Sequence, residues 1–152
     1  MSVQSARTGP NLAAQAVTAG ILGGVLVDLF LIAVRAAPFP GIYQYIASGI
    51  VGEAAYASSS YIALGVVIHL AISIAAALAY AYLGRALGLL QKWLLGGTIF
   101  GIVMLVVMQI VLALAHLAQP LTPARLAIVV IAHVVFFGLP IAWYVSRAAP
   151  AA

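Results

Sequence analysis

The stretch YIALGVVIHLAISIAAALAYAYL, Tyr61 to Leu83, decides how this chain is read. It is long enough to cross the roughly 30 Å hydrocarbon core of a bilayer, and it contains no Asp, Glu, Lys or Arg. A single histidine, His69, interrupts it. The rest of the chain supplies neighbours for this helix.

Composition points the same way. The 152 residues are 66% hydrophobic and 5% charged, with a mean hydropathy of +1.25. A soluble domain carries about 25% charged residues, so lipid must solvate most of this surface. At about 20 residues per span, the chain has room for four spans and short loops. The expected fold is a single all-α transmembrane domain, a four-helix bundle. The six cations are scattered, which leaves no electrostatic footprint for nucleic acid. The pI of about 9.8 then reads as membrane topology. The absence of cysteine excludes disulfides and thiolate chemistry.

The first span is expected at about 12–34. It exceeds a signal-peptide core in length and contains Asp28, so it reads as a retained span. Gly20 and Gly24 form a small-xxx-small pair that admits a close neighbour, and Asp28 continues that stripe one turn on. Pro38 and Pro40 end the span. Gly41 to Ala57 reads as a short helix lying in the interface or dipping into it, with Glu53 on it. Ser58, Ser59 and Ser60 offer a cap for span two, at about 61–83, where Gly65, His69, Ser73, Ala76 and Tyr80 share a face. Gly84, Arg85 and Gly88 are expected to end it. Span three, about 94–117, carries a second close-packing pair, Gly97 and Gly101, followed on the same side by Leu105, Met108 and Gln109. His116 falls at its interfacial end. Span four, about 124–146, holds His133 and then Pro140, which should kink the helix and free the Phe136 carbonyl. Trp143 and Tyr144 read as belt residues.

Cation placement sets the expected orientation. Four spans put Arg7, Arg85, Lys92 and Arg147 on one side and Arg35 and Arg125 on the other. The positive-inside rule then places both termini in the cytoplasm. A faint repeat accompanies this. Leu22-Gly23-Gly24 and Leu95-Gly96-Gly97 open two hairpins, and His69 and His133 follow on the second helix of each. Two parallel hairpins related by an axis along the membrane normal would result.

Depth gives the sharpest expectation. At 1.5 Å per residue, Asp28 lies about 10 Å inside Arg35, and His69 and His133 lie about 12 Å inside Tyr61 and Arg125. Met108 and Gln109 sit at a similar height. Each span thus adds a polar or polarisable side chain to one layer. A charge at that depth is costly unless paired or hydrated. The layer of Asp28, His69, Ser73, Gln109 and His133 should therefore face the bundle interior and bind a proton, a metal ion, a haem or a polar solute. Asp28, His69 and His133 form a nitrogen and oxygen set suited to zinc or iron, and the two histidines could ligate a haem axially. No spacing motif supports either. An Asp28–His69–Ser73 hydrolase triad is disfavoured, because His69 and Ser73 share a helix and nothing marks an oxyanion hole.

The pattern Ile46-Ala47-Ser48-Gly49, Gly65-x-x-x-His69-x-x-x-Ser73, Tyr80, Gly97-x-x-x-Gly101, Met108 and His133-x-x-x-x-Gly138-Leu139-Pro140-Ile141-Ala142, with Arg147, resembles small bacterial inner-membrane proteins and, distantly, the YagU-like family. The resemblance spans Ile42 to Arg147. It implies a histidine in the second and last spans and brings no biochemical activity with it. The chain departs from the family in reading Leu112-Ala113-Leu114 where a proline often stands. Three functions follow as expectations: a small channel or carrier for protons or a polar solute, a metal- or haem-binding membrane protein, or a structural subunit of a larger complex. A homo-oligomer is expected in each case.

Overall fold

The computed structural model describes residues 11–147; Arg7 and its part in the orientation count lie outside them. Four helices are long and apolar enough to cross a membrane: Leu12–Ala33, Ser60–Ala86, Trp93–Leu114 and Pro123–Ser146. We label the elements α1 (Leu12–Ala33), α2 (Gly41–Val51), α3 (Ala54–Ala57), α4 (Ser60–Ala86) and α5 (Trp93–Leu114). The fourth span comprises α6 (Pro123–Ile131), a π-helical segment (Ala132–Gly138) and α7 (Leu139–Ser146). No strand occurs among the described residues.

The helix ends follow local chemistry. Asn11 caps α1 by accepting from the Ala13 N–H at 3.0 Å, and Thr122 caps α6 by accepting from the Arg125 N–H at 3.3 Å. Three spans close with the same left-handed turn. After α4 it falls on Gly88, at φ 66°, with Leu89 N–H donating to the Gly84 carbonyl at 2.8 Å. After α1 and α5 it falls on Arg35 and His116, at φ 55° and 58°. A residue with positive φ just past the last turn satisfies carbonyls that the helix leaves unpaired. This corrects two expected boundaries. Gly84 and Arg85 lie inside α4, because Gly88 is the true terminator. Span three stops at Leu114, because His116 already belongs to the cap, where it is exposed. The expected helix over Gly41 to Ala57 is two helices, broken at Gly52, whose φ of 65° is favourable only for glycine.

The spans pack in the order two, one, four, three. Small residues set each contact. A Cβ at Gly20 would lie 2.6 Å from the Ile74 Cα, and one at Gly24 would lie 2.8 Å from the Ser73 Oγ, so this face receives α4. On the other side of α1, Gly23 meets Ile141 of α7. A Cβ at Gly97 would come within 2.9 Å of the Ala142 Cβ, and one at Gly101 within 2.5 Å of the His133 carbonyl oxygen. Both glycine pairs are thus used inside the chain. Close backbone approach of this kind drives helix association where lipid removes the hydrophobic incentive.

Spans two and three meet chiefly where Tyr80 lies against Phe100, ring centroids 4.9 Å apart, with Phe100 against Phe137 at 5.9 Å. Away from this aromatic floor the two spans diverge. The outer face of α5 (Ile102, Val103, Val106, Ile110) is exposed and wholly apolar. Such a patch would aggregate in water; within a membrane an apolar surface of this kind is stable. Arg147 stacks on Trp143 at 3.7 Å, a cation–π contact of the kind found at membrane boundaries.

Pro140 is accompanied by a change of winding in span four. The proline has no N–H to donate and its ring crowds the carbonyl four residues back. The helix absorbs this by widening into π geometry over Ala132–Gly138, with the Leu139 N–H reaching back to Val134. Such widened turns often lie at functional sites, and this one carries His133.

Candidate functional site

A cavity of about 400 Å³ fills the space between the diverging spans two and three. Span one forms its back wall with Val27, Asp28 and Leu31. His69, Ile72 and Ser73 come from α4, Met104, Met108 and Gln109 from α5, and His133 and Phe137 from the π segment. The five residues singled out for the polar layer, Asp28, His69, Ser73, Gln109 and His133, all line it. Of the residues expected beyond the glycine pair on α5, Met108 and Gln109 line the cavity and Leu105 does not, its neighbour Met104 lining it instead.

Helix α2 covers one end. Ile42, Tyr45 and Ile46 face the cavity. Two tyrosine hydroxyls tie this helix down across the divergence. Tyr43 donates to the Asp28 Oδ2 at 2.8 Å, and Tyr45 donates to the Leu117 carbonyl at 2.6 Å. Gly65 makes the crossing possible, since any Cβ there would collide with the Tyr43 carbonyl.

Asp28 is the centre of the polar wall. It is 4% exposed, and its Oδ2 lies 3.3 Å from the His69 Nε2. The same Nε2 lies 3.2 Å from the Gly24 carbonyl oxygen. A carbonyl only accepts, so this nitrogen carries the hydrogen and shares it between two oxygens. The Asp28 Oδ1 is buried and receives no hydrogen bond. A buried carboxyl oxygen without a donor is costly.

His133 stands apart. Its Nδ1 donates to the Val129 carbonyl of its own helix at 2.8 Å, which leaves Nε2 as an acceptor when the ring is neutral. The expected trio of Asp28, His69 and His133 is therefore divided: two members touch, and the third shares only the cavity. Among the described residues no group of three His, Cys, Asp or Glu side chains is gathered that could hold a metal ion. Asp28, His69 and His133, expected as a metal set, are therefore not gathered into one such group. Glu53 is exposed, away from the cavity. At the mouth, Arg125 lines the cavity and donates to the Gln119 Oε1.

Tyr43 is the residue that sequence reading missed. Burial, the hydrogen bond to Asp28 and the Asp28 charge together push its phenol up to about 12 from 10.0. The native state holds this proton more tightly than the unfolded chain does. The stability it contributes is complete below pH 10 and is lost as pH rises toward about 12. Wild-type protein in detergent should therefore lose stability between pH 10 and 12 more steeply than Tyr43→Phe. Parallel melting-temperature curves for the two proteins would sink this account.

No family model matches the chain, and no curated protein or solved structure matches it either.

Proposed function

We propose that this multi-pass membrane protein is a small proton-handling carrier or channel, with the Asp28–His69 pair as its proton site and the cavity as its solute site. The observation carrying the reading is the buried, donor-free Oδ1 of Asp28 on the cavity wall. That oxygen is covered, and a proton is the one ligand that needs no room to reach it. An intramembrane carboxyl paired with an imidazole is a recurrent proton relay, and His69 is the imidazole within reach.

The reading includes a bacterial inner-membrane location with both termini cytoplasmic. Arg85, Lys92 and Arg147 support it on one side, against Arg35 and Arg125 on the other. It also retains the likeness to YagU-like proteins. Self-association, the remaining part of the proposal, falls to the exposed apolar face of α5, because the glycine pairs are taken up within the chain.

Proteoliposomes carrying a pH gradient test the reading. Wild-type protein should dissipate the gradient faster than Asp28→Asn or His69→Ala. Equal rates for all three would overturn it, and a Soret band or stoichiometric metal in purified protein would replace it with a cofactor site.

A further inference from the structure

The geometry points to a specific solute class for this cavity: a small organic cation, a protonated amine on an apolar body. The inference rests on the cavity being a solute site, and it comes from counting which polar atoms of the wall donate and which accept.

The His133 Nδ1–H is spent on Val129, so its neutral ring offers only Nε2, an acceptor. The His69 Nε2–H is spent between Gly24 and Asp28, so its neutral ring offers only Nδ1, again an acceptor. The Asp28 carboxylate accepts only, and one of its oxygens has no donor at all. The thioethers of Met104 and Met108 are weak acceptors, and Gln109 and Ser73 can accept as readily as donate. The obligate donor and the one cation on the lining is Arg125, which stands at the mouth, about 12 Å along span four from His133, with an N–H engaged by Gln119. A wall of acceptors with one carboxylate fits a solute that brings its own N–H donors and positive charge. The remaining lining, including Phe137, Ile72 and Leu112, is apolar apart from Tyr45, whose hydroxyl donates to the Leu117 carbonyl. It suits a hydrocarbon or aromatic body and contributes to burial in proportion to area. Binding sites of drug-sized ligands begin at about 300 Å³, which the cavity of about 400 Å³ exceeds. Oδ1 is covered in this conformation, and a half-turn of the carboxyl only exchanges its two oxygens, so the head group reaches the acid by a partial turn that loosens the Tyr43 and His69 contacts at Oδ2.

Three probes with one body and different heads test the proposal: 4-phenylbutylamine, 4-phenylbutanol and 4-phenylbutyrate. Each is titrated into the full-length protein in nanodiscs by calorimetry, with empty nanodiscs subtracted. The amine should bind at least about tenfold more tightly than the alcohol, and the butyrate more weakly than both. Asp28→Asn, a near-isosteric change, should remove the amine's advantage while leaving alcohol binding in place. His133→Phe should weaken the amine by a smaller factor. Equal binding of amine and alcohol, tighter binding of the butyrate, an Asp28→Asn protein that still prefers the amine, or no binding of any probe would each overturn the proposal. The proton reading fails separately: amine binding with no gradient dissipation in liposomes would remove the carrier and leave the amine site standing.

Discussion

Replacing Gly101 with valine should prevent spans three and four from docking. A Cβ at this position would sit 2.5 Å from the His133 carbonyl oxygen and 2.7 Å from the Val134 Cα. Both are backbone atoms of a helix and cannot swing aside as a flexible side chain would. The helices must separate, at a cost of about 3 kcal/mol, the upper end of the usual range for overpacking. The damage spreads, because Gly138 lies against the Gly97 carbonyl and Gly101 on the same interface. Span three has few other partners, so its loss also removes the Met104, Met108 and Gln109 wall of the cavity. Size-exclusion profiles and thermal melts in mild detergent read the effect. Gly41→Ala is the control, since a Cβ at Gly41 meets nothing within 4 Å. A Gly101→Val protein that melts with wild type would show that this interface is not what holds the spans together.

A thermodynamic cycle on Asp28 and His69 should give the second large effect. The pair is buried, with side-chain exposures of 6% and 18%. Removing one partner of a buried pair leaves the other without compensation and costs roughly 3 kcal/mol. His69→Leu alone should therefore destabilise strongly. In the presence of Asp28→Asn the same change should cost less by about 1–3 kcal/mol, the range for groups in direct contact. Unfolding by increasing fractions of a denaturing detergent measures all four corners. Costs that simply add would mean that the two side chains do not interact.

Much of this fold could be read in the sequence, because lipid simplifies the problem. A run of apolar residues of the right length in a chain with so few charges has one stable form, the spanning helix. The stripe Gly20, Gly24, Asp28 does face span two. Counting rise per residue sets Asp28, His69, Gln109 and His133 at one height, and all four line one cavity. What stayed hidden is azimuth and crossing. Nothing in the spacing says that spans two and three diverge, since that depends on where Tyr80 and Phe100 meet. Nothing says that α2 crosses the divergence, because the close approach of Gly65 to the Tyr43 carbonyl joins residues remote in sequence. Helical spacing sets Ile42, Tyr45 and Ile46 on one face of α2, and Tyr43 falls outside it. The left-handed caps at Arg35 and His116 were invisible for the opposite reason: neither residue is the glycine that advertises such a turn.

The repeat in the sequence has a counterpart in the contacts. Gly24, packed on Ser73 in one hairpin, corresponds to Gly97, packed on Ala142 and Gly138 in the other. By the same alignment Asp28 beside His69 corresponds to Gly101 beside His133. One half-unit keeps a glycine where its sister has the acid. The interface between spans one and four would be mirrored by one between spans two and three, and there the cavity lies instead.

The widened turn in span four has a geometric meaning of its own. A π-helical stretch accommodates one residue more than an α-helix of the same hydrogen-bonded length, and one residue is worth about 100° of rotation. Ala132–Gly138 therefore acts as a phase adjuster: it lets the imidazole of His133 aim at the cavity while Ile141 and Ala142, further along, still aim at spans one and three. Excising a single residue from between Val134 and Phe136 would restore ordinary winding. The far half of the rod could keep its seat, and His133 would then swing about a quarter-turn off its target.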